Sequence, residues 1–335
     1  MTRPRIFTVD RAGAGRPIIE WLRTVLSVDR STAERLVGSR QVFVGGAPST
    51  DQKRRLRMGD RVSVWFTPAK KAASDKSTAH KPISPPRYGG PAPVVRYADD
   101  QVVVVDKPPG LTTMRHADEA LEHGKRAQRF LPVTLQDLLP SLLPQTRSGK
   151  PRSVRAVHRL DKETSGLVVF ARTQAAEGHL GKQFRAHTSE RLYLALVRGK
   201  ARDARIESWL VRDRGDGRRG SGANAGEGQR AVTRVRVVEL LGDYTLVECR
   251  LETGRTHQVR IHLGEAGTPL CGERVYDRPL HGRPVPDDSG AGRIMLHAAV
   301  LGFQHPTGNK RMRWKAELPR DMASLLRRLR QDNSD

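Results

Sequence analysis

Asp161 is the residue whose type and position best suit covalent or acid–base chemistry. It lies in the segment 158–166, HRLDKETSG, directly before the apolar run LVVF at 167–170. Because a short apolar run after polar residues is typical of a buried strand, we expect Asp161 in a loop at the margin of a sheet. A carboxylate there is able to act as a nucleophile, whereas most loop carboxylates only cap a turn or face solvent. Residue type and position alone leave both alternatives open.

The elements that must hold this loop alternate between short apolar runs and polar or glycine-rich breaks. Further apolar runs occupy 102–105, 192–197 and 245–251, and long strand–helix–strand repeats are absent from the sequence. This pattern predicts an α+β body rich in strands. The sequence has neither a Gly-x-Gly-x-x-Gly segment after a strand nor a Walker-type lysine loop, so we expect no nucleotide cofactor. Residues 321–330 predict a final helix with its leucines packed inward.

The charge of the chain favours a polyanionic partner. Among its 335 residues, 60 are Lys or Arg and 36 are Asp or Glu, which gives a formal net charge of +24. Most of the cations are arginines, whose planar guanidinium binds phosphate oxygens in pairs. Nucleic acid is therefore the first hypothesis, and a surface kept soluble by charge is the alternative.

Other features of the sequence restrict the class of protein. No run approaches the length of a membrane span and the N-terminus has no apolar signal core, which predicts a cytoplasmic protein. The two cysteines, Cys249 and Cys271, lie in apolar surroundings without a Cys-x-x-Cys pairing. We therefore expect buried thiols, with neither a disulfide framework nor a cysteine zinc site.

The first 67 residues read as a small separate domain, followed by a Pro-, Ser- and Lys-rich linker over 68–93. Helical spacing marks 18–26, and Ser31 with Glu34 predicts a capping box that opens a second helix, before a short hairpin. Residues 16–66 resemble the S4 RNA-binding domain through this helix pair, VFVGG at 42–46 and RMGDRV at 57–62. The resemblance implies a small α/β domain that binds structured RNA through arginines such as Arg35, Arg40 and Arg57; a merely solvated basic face is the alternative.

The body, residues 94–335, resembles the RluA/RluD-like pseudouridine synthases over about 94–320. The similarity rests on five ordered segments: VVDKPPGL at 104–111, HRLDKETSGLVVFART at 158–173, ERLYLALV at 190–197, TGRTHQVRIH at 253–262, and LHA at 296–298 with QHP at 304–306. Arg191 stands where this family often has Lys, and Gly272-Glu273 replaces a common Gly-Asp. The basic segment 115–153 is longer than usual.

The resemblance implies a fold with a central antiparallel sheet and an active-site cleft, in which Asp161 is the nucleophile that isomerises uridine in RNA. It implies that Tyr193 stacks on the uracil and that Arg255 pairs with Asp161, although Tyr193 as a core residue and Arg255 as a phosphate contact are the alternatives. Arg159 would enter the RNA as the target base is flipped, and His257 and Arg260 would contact RNA or their own loop. We expect no metal and no cofactor, structured ribosomal RNA as partner, and a monomer.

Three other functions compete with this interpretation. A tRNA pseudouridine synthase differs only in substrate. A catalytically silent RNA-binding or ribosome-assembly factor is opposed by the intact Asp161, Tyr193 and Arg255. A hydrolase using Asp161 with His158 would need a nucleophilic Ser or Cys, or a second suitably spaced carboxylate, which the sequence does not identify.

Overall fold

The computed structural model describes residues 4–38, 41–49, 51–52, 54–64, 88–115, 131–143, 154–279 and 281–333. The chain divides into two compact units, Met1–Pro82 and Ile83–Asp335, called here the head and the body. Most of the predicted linker at 68–93, and the basic side chains predicted within 116–130 and 144–153, lie outside the described residues. The limits of the linker therefore stay a prediction.

The head is a four-stranded sheet packed against two helices. Its elements are β1 (Arg5–Thr8), α1 (Ile18–Leu26), α2 (Arg30–Gly38), β2 (Val42–Val44), β3 (Ala47–Pro48) and β4 (Arg61–Val64). The strands are antiparallel in the order β1-β4-β2-β3. Apolar residues spaced along α1, such as Ile18 and Leu22, pack on the alternate residues Val62 and Val64 of β4. The helix–helix–hairpin order agrees with the prediction, and β1 is an additional strand.

The start of α2 differs from the predicted capping box. The carboxylate of Asp29 accepts hydrogen bonds from the Thr32 backbone N–H at 2.7 Å and from the Ser31 hydroxyl at 2.8 Å. Glu34 instead accepts a bond from Arg30 at 2.9 Å. A carboxylate is both an acceptor for the unpaired N–H groups and a negative charge at the positive end of the helix, so Asp29 rather than Ser31 caps it.

The body is built on one large sheet. Its strands are β5 (Val94–Ala98), β6 (Val102–Lys107), β7 (Arg155–Ala156), β8 (Ser165–Ala171), β9 (Glu190–Arg198), β10 (Ala204–Val211), β11 (Gly220–Ser221), β12 (Gln229–Leu241), β13 (Tyr244–Leu251), β14 (Leu296–Gln304) and β15 (Arg311–Lys315). Its helices are α3 (Leu135–Leu142), α4 (Gln174–Arg185), α5 (Gln258–Glu265) and α6 (Arg320–Asp332).

The strand order is β11-β10-β12-β13-β9-β14-β8-β6-β5, with β15 on β14 and β7 on β8. Neighbouring strands are antiparallel except β14 and β8, which run parallel. The predicted α+β class is thus confirmed, and the sheet is antiparallel as predicted except for the parallel pair of β14 and β8. Each of the apolar runs named from the sequence is a strand.

The central strands are buried on both faces because helices cover both sides of the sheet. Successive side chains of a strand point to opposite sides, so they pack against different helices. On one face Val105 and Phe170 pack with Leu139 of α3, and on the other Val104 and Val169 pack with Leu180 of α4. Helix α6 covers the sheet farther along through the side chains Met322, Leu325, Leu326 and Leu329, as the leucine spacing predicts. This double cover fixes the strand ends from which the site is built.

Both cysteines are buried free thiols, as predicted, and burial raises the pKa of each to about 12. Within the ranges given above, none of the helices has the length and apolar character needed to cross a bilayer.

One buried histidine makes the stability of the body depend on pH. His262 of α5 is only 1% exposed, and its two ring nitrogens lie 2.9 Å from the Thr233 hydroxyl and 3.1 Å from the Ser208 hydroxyl. Burial lowers its pKa to about 4. Between about pH 6.5 and 4 the unfolded chain therefore binds a proton on this residue that the folded chain does not.

The contribution of His262 to stability is present above pH 6.5 and is lost as the pH falls toward 4. We expect the free energy of unfolding to fall by about 1.4 kcal/mol more per pH unit in this window in wild type than in His262→Gln. Urea unfolding at pH 7 and 5 measures the difference, with exposed His281→Asn as control. Equal pH dependence of wild type and His262→Gln would contradict the assignment.

Candidate active site

A cavity of about 510 Å³ opens beside Asp161, in the loop between β7 and β8. Its lining comes from this loop, α4, β9 and the segment after β13, and it includes Tyr193 and Arg255. The structure therefore places the three predicted catalytic residues around one space. A second cavity of about 60 Å³ adjoins the same three residues and also touches His257 and Arg260.

Buried side chains hold the loop on both sides of Asp161. Lys107, at the end of β6, is fully buried, and its Nζ donates hydrogen bonds to the carbonyl oxygens of Pro108, Leu111 and Lys162 at 3.0, 2.8 and 3.0 Å. Burial lowers the pKa of this amine to about 7. The hydroxyl of Thr113 donates to the Leu160 carbonyl at 2.7 Å and accepts the Leu160 N–H at 3.1 Å. These contacts fix the residues immediately before and after the carboxylate, and neither Lys107 nor Thr113 was identified as a site residue from the sequence.

Asp161 forms an ion pair with Arg260, not with Arg255 as the resemblance implied. Nη1 of Arg260 lies 3.5 Å from Oδ2 of Asp161, and Nε2 of His257 lies 3.8 Å from Oδ1. Both of these basic groups lie within 4 Å of the carboxylate. The Nε of Arg255 instead donates to the carbonyl of Arg230 at 3.0 Å. We therefore correct the predicted ion pair to Asp161–Arg260.

The local backbone explains why Arg260, and not Arg255, pairs with Asp161. His257 adopts a left-handed conformation, with φ of +59°, and α5 begins at the next residue. The Gln258 side chain accepts the Arg255 backbone N–H at 3.0 Å, which closes the turn. Arg255 thus precedes the turn, whereas Arg260 lies within the helix that follows it. Linear spacing along the motif does not reveal which of the two arginines this turn brings to the carboxylate.

The guanidinium of Arg260 is buried between the carboxylates of Asp161 and Glu273, and its RNA contact stays a prediction. Its Nε and Nη2 donate to the two oxygens of Glu273 at 2.7 and 3.0 Å, in the paired geometry that arginine and carboxylate favour. The ring of Tyr276 lies against it, with 5.1 Å between Cζ and the ring centre. Burial alone would raise the pKa of Glu273, but the hydrogen bonds and charge of Arg260 outweigh it and lower that pKa. Glu273 therefore fixes the cation that faces Asp161.

His257 lies beside the carboxylate of Asp161. Its Nδ1 is 2.8 Å from the Tyr276 hydroxyl, and burial lowers its pKa even though Asp161 opposes the shift.

Tyr193 lies on β9 between Cys249 of β13 and Ala298 of β14. Burial raises the pKa of Tyr193 to about 12, so its hydroxyl keeps its proton.

The remaining sequence-predicted residues occupy different places. Arg159 is exposed and lines both cavities. In the head, Arg35 belongs to α2, Arg57 is exposed shortly before β4, and Arg40 lies outside the described residues. His158 has a structural role: its Nε2 accepts the Val169 N–H at 3.1 Å, its ring stacks on another ring, and burial lowers its pKa to about 3.

Comparisons with known proteins identify the relatives of this chain. Residues 101–265 match the family described as RNA pseudouridylate synthase. The ribosomal large subunit pseudouridine synthase D of Nitrosomonas europaea is 39% identical over 246 residues, which span 70% of this chain and 65% of that protein. The corresponding synthase D of Zymomonas mobilis is 35% identical, over 76% of this chain and 79% of its own length. The ribosomal large subunit pseudouridine synthase C of Escherichia coli is 30% identical over 97% of both chains.

The fold has the same relatives. The solved structure of human RNA pseudouridylate synthase domain containing 4 covers 70% of this chain and 92% of its own, with a TM-score of 0.55 and 23% identity. The chain spans just under two thirds of the Nitrosomonas protein but nearly the whole of the Escherichia one. With this coverage and identity, the chain belongs to the RNA pseudouridine synthase family.

Proposed function

We propose that this protein converts uridine to pseudouridine in large-subunit ribosomal RNA in the cytoplasm. The observation that carries the proposal is the Asp161 carboxylate, which lines a nucleotide-sized cavity and faces a buried arginine. The large-subunit substrate rests on the names of the relatives, which are ribosomal large subunit pseudouridine synthases.

The reaction needs little beyond these residues. The bond between C1′ and N1 of uridine breaks and one between C1′ and C5 forms, while a proton leaves C5 and another joins N1. No electrons or groups are gained or lost overall, so we propose that the protein works without a cofactor. We also propose that it is a monomer. Asp161 either attacks the sugar or base or abstracts a sugar proton, and in both routes the positive charge of Arg260 lies beside it.

The neighbouring side chains have roles suited to a flipped nucleotide. A stacked and paired uridine hides C1′ and C5, so the target must leave the helix. We assign to Tyr193, with its neutral hydroxyl and flat ring, the contact with the uracil. Arg159, exposed at the cavity, is placed to occupy the gap in the RNA, and Arg255 lines the same space.

Mapping pseudouridines in total RNA with and without this protein tests the proposal. We expect one or more large-subunit positions to lose the modification when the protein is absent, and to regain it with wild type but not with Asp161→Asn. Loss in tRNA alone would favour the tRNA alternative. An unchanged map would indicate a catalytically silent RNA-binding factor.

The head is proposed to be an S4-like RNA-binding domain that uses Arg35, Arg40 and Arg57. Because the residues found to line the cavity beside Asp161 belong to the body, deleting 1–67 should weaken binding to large structured RNA by about tenfold and flatten its salt dependence. The saturated single-turnover rate on a short stem-loop should change much less. Filter binding at two salt concentrations and rapid-quench assays measure both. A lost saturated rate in a deletion variant that melts normally would mean that the head completes the active site.

A further inference from the structure

Arg191 is a buried cation for which the described protein residues provide no counter-charge. It lies on β9 two residues before Tyr193, so both side chains leave the same face of the strand. Only 8% of Arg191 is exposed, and the residue lines the 510 Å³ cavity together with Asp161. It therefore shares this cavity with the proposed nucleophile.

The contacts of Arg191 are weak for a buried guanidinium. Its Nη2 is 3.5 Å from the Leu251 carbonyl, at the limit of a hydrogen bond, and its Nε is buried without a hydrogen-bond partner. Its Cζ lies 5.7 Å from the centre of the Phe184 ring. Within the described part of the chain, no carboxylate comes within 4 Å of it, in contrast to Arg260.

The electrostatic surroundings are positive. Burial has the largest effect and lowers the pKa of Arg191; Tyr193 opposes this shift, and the charge of Arg255 adds a smaller lowering effect. Arg191 in turn helps to lower the pKa of both His158 and His187. An unpaired buried charge is costly, so a protein that retains one needs it for a ligand of opposite charge.

Gly254, in the segment after β13, leaves space for the guanidinium of Arg191. A Cβ at Gly254 would lie 2.5 Å from Nη1 of Arg191, so a side chain at that position would displace the guanidinium. The same cavity contains Asp161, which must approach the sugar of the target nucleotide. The phosphates bonded to that sugar must then lie within a few ångströms of the same lining.

We propose that Arg191 binds a phosphate flanking the flipped uridine and that this phosphate supplies the missing counter-charge. The inference rests on the proposed function and adds a contact between Arg191 and the phosphate backbone of the RNA. A neutral uracil oxygen would satisfy the hydrogen bonds but not the charge, whereas a phosphate satisfies both through the planar fork of arginine. Arg191 thus positions the nucleotide against Asp161.

A chemical double-mutant cycle tests this contact. A large-subunit RNA fragment with the mapped uridine is made with normal linkages, or with one neutral methylphosphonate on the 5′ or 3′ side of that uridine. At one of the two positions, the methylphosphonate should weaken wild-type binding by about 10-fold or more. Arg191→Met should bind normal RNA about as weakly as wild type binds the methylphosphonate RNA. The methylphosphonate should not weaken the binding of this variant any further. Arg185→Met, which removes an exposed cation from the same cavity, should retain the full penalty. Equal penalties in wild type and Arg191→Met at both positions would overturn the proposal.

A second measurement needs no RNA and therefore separates this proposal from the proposed function. Since no described carboxylate pairs with Arg191, Arg191→Met should leave the melting temperature unchanged or raise it by about 2–4 °C. A clear fall would show that the guanidinium is structural and would overturn the proposal. Wild type that forms no pseudouridine in any RNA would refute the proposed function instead, while the melting comparison would still test Arg191.

Discussion

Asp161→Asn should reduce pseudouridine formation below detection while leaving the RNA dissociation constant within about threefold of wild type. The amide has nearly the shape of the carboxylate but no ionised oxygen with which to attack or to accept a proton. Binding should persist because it depends on the many cations of the protein and not on this anion. The fold should also persist, since Arg260 keeps its paired hydrogen bonds to Glu273.

Single-turnover assays and filter binding with the purified variant provide the two measurements. Glu163→Gln is the matched control, because it removes a carboxylate from the same loop two residues later. That variant should retain most of the wild-type rate. Substantial turnover by Asp161→Asn would exclude this residue as the catalytic carboxylate.

Arg260→Met should lower the saturated single-turnover rate by about 100-fold, whereas Arg255→Met should mainly weaken RNA binding. The first change removes the guanidinium 3.5 Å from Asp161, so the enclosed carboxylate loses its permanent cation. Arg260→Lys should lie between Met and wild type, because lysine keeps the charge but cannot hold Glu273 and Asp161 in one planar geometry. Arg255 lines the cavity without contacting the carboxylate, and its loss should reduce the salt dependence of binding.

Removing Arg260 alone also leaves the buried Glu273 unpaired, at a cost to stability of roughly 3–5 kcal/mol. The double variant Arg260→Met/Glu273→Gln should recover much of this stability but none of the rate. Thermal melting and saturated rates, measured together, distinguish a folding defect from a catalytic one. If Arg255→Met slowed the saturated step as much as Arg260→Met, the ion-pair assignment derived from the structure would be wrong.

The contrast between these two arginines illustrates what the sequence could predict. The apolar runs identified the strands because burial on both faces leaves a continuous signal, and the loop before β8 placed Asp161 at a sheet margin. The partner of Asp161 depended instead on the left-handed backbone of His257 and on Glu273, 13 residues beyond Arg260. Such tertiary contacts have no periodicity to reveal them.

A similar limit applies to the supports of the loop. The amine of Lys107 bonds the carbonyl oxygen of Lys162, 55 residues later, and lysine is rarely buried. From the sequence, this residue therefore reads as a surface charge within a turn-rich segment. The same reasoning applies to α2, where Ser31 and Glu34 match the capping pattern but the carboxylate of Asp29 competes successfully for the helix N-terminus.

The position of β14 in the sheet has a consequence for how the protein is made. This strand separates β8 from β9, and its Ala298 is paired with Gly166 on one side and with Tyr193 on the other. The chain leaves the ribosome from its N-terminus, so the segments bearing Asp161 and Tyr193 emerge more than 100 residues before the strand that joins them. A nascent chain that already contains every proposed catalytic residue still lacks the centre of its sheet. The active site is therefore assembled only after β14 has been synthesised.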